Sequence, residues 1–124
     1  MPRRRLTTRV GLWLPPLVYM AVIFYLSSQS NPLPEVTARV WDKVLHTVEY
    51  AALAVLLGRA LLGEGLGVLT AFAAAALLAA AYGATDEYHQ LFVPRRTGDL
   101  HDWMADAAGA CLGAMVSVLR KSLK

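Results

Sequence analysis

At 124 residues with a single cysteine, the chain is too short for two ordinary domains and can form no intramolecular disulfide. It is 56% hydrophobic and only 17% charged, with a mean hydropathy of +0.44, a balance that excludes an ordinary soluble domain of this length. The net charge of +3 and the pI of about 9.3 then describe the sidedness of a membrane protein rather than a surface for nucleic acid.

From Val10 to Pro34 there is no charged residue or histidine. The core of this run, VGLWLPPLVYMAVIFYLS, makes about 27 Å of helix, enough to cross a bilayer, and predicts a first span at 10–27. Pro15 and Pro16 are expected to bend or delay its first turns. The basic RRRLTTR ahead of it would also suit a signal peptide, but the apolar run is long and the cleavage site poor.

A second span is predicted at 41–62, with Asp42, Lys43, His46 and Glu49 gathered in its first half and only Arg59 in its second. A third, at 66–90, is nearly half alanine up to Thr85, a composition that favours close helix packing. It ends in a charged stretch, DEYHQ, at Asp86 to Gln90. A fourth, at 100–119, carries Asp102 and Asp106 and then Gly109 and Gly113, a G-x-x-x-G spacing that allows close backbone contact. Cys111, inside this run, reads as a small packing residue, and Trp13, Trp41 and Trp103 near helix ends read as interfacial aromatics.

These elements predict an all-α integral membrane four-helix bundle, one domain over 1–124, with loops of roughly 3 to 13 residues. Four spans put both termini on one side. Arg3, Arg4, Arg5, Arg9, Arg59, Arg120, Lys121 and Lys124 fall on that side, whereas every acidic residue except Glu64 falls opposite, so the termini are expected in the cytoplasm and the acids in the outer half of a multi-pass cell-membrane protein.

Some of these acids need no function. Asp42, Asp99 and Asp102 sit at helix N-termini, where a carboxylate can accept backbone N–H bonds, and spacing alone leaves cap and site both open. Glu49 and Asp106 lie about 10 Å deeper, beyond the reach of capping. An acid at the centre of a lipid-facing helix costs roughly 2.5 to 3.5 kcal/mol on insertion, so each is expected to face the bundle interior with a partner. Asp42, His46 and Glu49 share one helix face, and Asp99, Asp102 and Asp106 another, so the two polar stripes are expected to meet. Asp86 and Glu87 oppose the dipole at the C-terminus of the third span, where Lys43, Arg95, Arg96 or a bound cation would offset them. Tyr82, Asp86, His89 and Gln90 are placed on the face that looks toward the other stripes. Arg95 and Arg96, after Pro94, suit a phosphate or lipid head group as well as ion pairs with the nearby acids.

SSQS after the first span, DKVLHTVEYAAL opening the second, and DEYHQLFVPRRTGDLHDWMADAAGACLG near the end together resemble the VanZ-like family, over nearly the whole chain. The resemblance implies an integral membrane protein associated with teicoplanin resistance. By position it highlights Asp42, Lys43, His46, Glu49, Tyr50, Asp86, Glu87, His89, Gln90, Pro94, Arg95, Arg96, Asp99, Asp102 and Gly109. Asp106 departs from it, since similar proteins commonly carry asparagine there.

Several functions fit this cluster. An enzyme acting on a lipid-linked or envelope substrate would use Glu49, Asp86 and His46 as acid, base or metal ligands, because HTVE and DEYH place H-x-x-E and D-x-x-H pairs on helix faces; a divalent metal suits such pairs. The remaining candidates, Asp42, Lys43, Tyr50, Glu87, His89, Gln90, Arg95, Arg96, Asp99, Asp102 and Asp106, would then hold ligand. A non-catalytic binder of a head group, peptidoglycan precursor or glycopeptide needs the same face. An ion or proton transporter is disfavoured by the apolar inner halves of spans one and three. An ion-pair lock between helices is the purely structural alternative.

Overall fold

The computed structural model describes residues 6–28, 35–93 and 100–122, with side chains placed at 6–28, 43–93 and 103–121. Four helices follow one another: α1 Leu6–Ser27, α2 Glu35–Gly63, α3 Val68–Gln90 and α4 Leu100–Ser122. The fold is an all-α helical bundle. α1, the Lys43–Gly63 part of α2, and α3 are long and apolar enough to cross a membrane by length and composition. Leucines, valines and aromatics such as Leu17, Phe24, Leu69, Leu77 and Leu112 are exposed on the bundle's outside, as lipid-facing positions require.

α1 starts at Leu6, ahead of the prolines, and runs through Pro15 and Pro16 without the delay expected from them. Pro15 has no N–H to give to the carbonyl of Gly11 four residues back. Arg59 of α2 donates its Nη1 to that carbonyl at 3.2 Å, so a neighbouring helix satisfies what the proline leaves open. α2 also begins earlier than its apolar run, because Glu35 to Arg39 extend the helix beyond the hydrophobic stretch.

α2 and α3 join in a Schellman turn. Leu66 N–H bonds to Leu61 C=O at 3.2 Å and Gly65 N–H to Leu62 C=O at 3.0 Å, with Gly65 at φ +100, where a residue with a Cβ is strained. Arg9 pairs with Glu64 of this turn at 3.4 Å, which sets the start of α1 beside the end of α2.

The core is made of Tyr50, Leu53, Ala54 and Leu57 from α2, Ala71, Ala75 and Ala79 from α3, Ala110 and Ala114 from α4, and Ile23 from α1. Small residues set the distances. On α4, Gly109 and Gly113 lie against the backbone of Thr47 and Ala51, and Ser117 against Gly58. On α3 the buried positions Ala71, Ala75, Ala79 and Gly83 recur every four residues and turn a small-residue face to the core. Cys111, expected as a small packing residue, is instead exposed, two residues past Gly109 and so on the opposite side of α4 from that helix's seam.

α1 packs on α2 and α3 and, among the described residues, makes no comparable contact with α4. Its link to α3 includes a hydrogen bond from the Tyr82 hydroxyl to the Met20 carbonyl at 2.6 Å. Tyr82→Phe is expected to lower stability by about 1 kcal/mol, the usual net worth of one such bond. Denaturant titration in mixed micelles checks this, and an unchanged midpoint would mean that the bond contributes nothing.

Candidate functional site

Each small-residue seam ends in ionisable side chains. On α3 the stripe from Ala71 to Gly83 continues into Glu87 and Gln90, both buried. On α4, Asp106 precedes Gly109 by three residues on the same face and is fully buried. On α2, His46 precedes Tyr50 by one turn, and the two rings lie nearly parallel with centroids 6.5 Å apart. These three helices meet where His46 Nδ1 stands 2.6 Å from Asp106 Oδ1 and 3.8 Å from Glu87 Oε1. One ligand-type atom from each of His46, Glu87 and Asp106 lies within 4.8 Å of the others.

Gly83 makes this approach feasible. A Cβ there would stand 3.0 Å from Asp106 Oδ2 and 3.3 Å from Tyr50 Cε1, tighter than nearly all real contacts. Tyr50 is wholly buried, and its hydroxyl has the Asp86 carboxylate within hydrogen-bonding reach, with Asp106 and Glu49 also within its electrostatic range.

A second polar group adjoins the first on the side of α1. Asp86 is buried, and its charge and that of Glu49 act on Tyr50 and Tyr82; Glu49 also acts on Tyr19 of α1. His89 does not enter the triad. Its ring stacks on Phe24 of α1 at 4.4 Å between centroids, one helical face away from Glu87. The face of α3 predicted from sequence, Tyr82, Asp86, His89 and Gln90, is thus divided: Tyr82 and His89 look toward α1, while Gln90 joins Glu87, a residue outside that face, in the buried stripe.

Among the candidates, the structure brings His46, Glu87 and Asp106 into one set and places Glu49, Asp86 and Tyr50 beside it. Lys43 sits half-buried one turn before His46. Arg95, Arg96, Asp99 and Pro94 lie outside the described residues, as do the side chains of Asp42 and Asp102. Trp103, taken from sequence as interfacial only, donates its indole N–H to the Ala80 carbonyl at 3.0 Å and ties α4 to α3 just below the polar set.

A family profile described as VanZ/LLP1 matches residues 6–121, which takes in all four helices and every member of the polar set. The chain belongs to the VanZ/LLP1 family. No curated protein and no solved structure matches it significantly. As a VanZ-like membrane protein it carries the polar set at one end and several basic residues at the other: Arg59, Arg120 and Lys121 border a cavity of about 330 Å³ together with Val55, Leu62 and Ser117. Ser117 is eleven residues from Asp106, or about 16 Å along α4, so that cavity is separate from the triad.

Proposed function

We propose that this VanZ-like protein sits in the cell membrane as a multi-pass bundle with its polar set toward the outer face. There it engages a cell-envelope lipid head group or a glycopeptide-related ligand and so lowers susceptibility to teicoplanin. The orientation is supported by Arg9, Arg59, Arg120 and Lys121 sharing the opposite end of the bundle, as cytoplasmic basic residues do. The observation that carries the reading is the burial of His46, Glu87 and Asp106 from three helices in one place. Ionisable residues inside a membrane are expensive and concentrate where a protein handles a polar ligand.

A catalytic version of the same reading is favoured by the short His46–Asp106 contact, since a carboxylate that fixes an imidazole's tautomer and direction is the arrangement used in general base catalysis. Glu49 and Asp86 would then act on the α1 side of the site.

The test is teicoplanin susceptibility of a sensitive Gram-positive host producing wild type, Glu87→Gln, Glu49→Gln or Asp86→Asn at matched membrane abundance. The wild type is expected to raise the inhibitory concentration several-fold and Glu87→Gln to abolish the rise. Equal protection by all four chains would make the carboxylates purely structural, and no protection by the wild type would remove the link to teicoplanin.

A further inference from the structure

We infer that His46, Glu87 and Asp106 are the protein ligands of one divalent transition-metal ion held inside the bundle, which deepens the reading of this set as the working site.

The first support is the donor set itself. An imidazole nitrogen and two carboxylate oxygens converge from α2, α3 and α4, each on a buried residue, with the three atoms within 4.8 Å of one another. Ligand atoms around a tetrahedral zinc, at about 2.0–2.2 Å from the metal, stand roughly 3.3 Å apart. The distances from His46 Nδ1, 2.6 Å to Asp106 and 3.8 Å to Glu87, fall on either side of that value.

Charge supplies the second support. Both carboxylates face the same imidazole nitrogen. A divalent cation accepts a lone pair from all three donors at once, and its charge is opposite to that of both carboxylates. Asp86 and Glu49 deepen the local negative field.

The third support comes from a residue outside the triad. Tyr50 is fully buried next to His46, with the Asp86 carboxylate in hydrogen-bonding reach of its hydroxyl and Asp106 within electrostatic range. Three protein donors leave a zinc-type ion one open position for a water or ligand oxygen, and the Tyr50–Asp86 pair supplies polar groups beside the set.

The donor chemistry narrows the metal. One nitrogen and two carboxylate oxygens, with no thiolate, suit zinc, manganese, iron(II) or cobalt(II) rather than copper(I), and the imidazole argues against calcium or magnesium.

The experiment uses the full-length protein purified in detergent through a tag without histidines, in a Cys111→Ser background that removes the exposed thiol as a rival ligand. After stripping with chelator, the protein is loaded separately with zinc, manganese, iron(II) and cobalt(II), desalted, and assayed for metal per chain by plasma mass spectrometry. About one equivalent of at least one of these ions should remain in the parent chain. His46→Ala, Asp106→Ala and the nearly isosteric Glu87→Gln should each retain less than a tenth of it. Cobalt should add visible d–d absorption to the parent and to none of the three. Helicity and elution volume identify any variant that fails to fold, and Glu87→Gln, which keeps shape, still decides the matter if the alanine variants do not. Absence of retained metal in the folded parent for all four ions, or equal retention by folded Glu87→Gln, overturns the inference.

Failure here and failure of the functional reading are separable. A metal-free parent whose teicoplanin protection still needs Glu87 leaves the site and removes the metal. A metal-binding parent whose protection is indifferent to Glu87 keeps the metal and removes the functional reading.

Discussion

Gly113→Val is expected to unfold the bundle or to lower its stability by about 3 kcal/mol or more. A Cβ at position 113 would stand 2.8 Å from the Cα of Ala51 and 2.7 Å from its carbonyl carbon, with the carbonyl oxygen nearer still. Overpacking a core typically costs roughly 1–3 kcal/mol where side chains can give way. Here the obstacle is the α2 backbone, so the two helices must part, and Gly109 meets Thr47 in the same manner one turn earlier. Gly113→Ala gains about 1 kcal/mol of helix propensity against the same clash and should show a smaller net loss. Gly11→Ala is the control, because nothing lies within 4 Å of its Cβ and only the propensity term acts. Denaturant titration in mixed micelles reads all three. A wild-type midpoint for Gly113→Val would mean that α2 and α4 do not meet at this seam.

His46→Leu tests the polar set by subtraction. Removing the imidazole leaves Glu87 and Asp106 facing each other within a buried site, and breaking a buried pair in this way costs roughly 3–5 kcal/mol. Replacing His46, Glu87 and Asp106 together by leucine removes the buried charges themselves, so the triple variant should regain most of that loss or exceed the wild type. It should nevertheless give no protection against teicoplanin. Equal instability of the single and triple variants would show that the set holds the helices together rather than burdening them. Such a result would favour the ion-pair lock over a ligand site.

Much of the bundle can be read directly from the sequence. Four apolar runs, separated by short polar segments, determine the number and order of helices, and the structure moves the ends by a few residues. α1 reaches back to Leu6 and α2 to Glu35 because polar residues with fair helix propensity extend a helix beyond its apolar stretch at little cost. Asp106 was recognisable as an interior residue by depth alone, since no cap lies within its reach. The rotation of α3 was not. Asp86 and Glu87 are adjacent acids about 100° apart around the helix, and the D-x-x-H spacing points to Asp86 and His89. A better signal was present in Ala71, Ala75, Ala79 and Gly83, whose four-residue repeat leads to Glu87 and then Gln90. The in-helix pairs H-x-x-E and D-x-x-H could not disclose a set drawn from three helices, because sequence spacing carries no information about which side chains meet across an interface.

α4 is the least apolar of the four helices, and among the described residues it is not one of those apolar enough to cross a membrane by composition alone. Its burial therefore rests on its neighbours rather than on its own composition: the glycine face lies against the Thr47 and Ala51 backbone, and Asp106 is buried where it meets His46. The contact that builds the candidate site is thus also one that ties the final helix to the rest of the bundle.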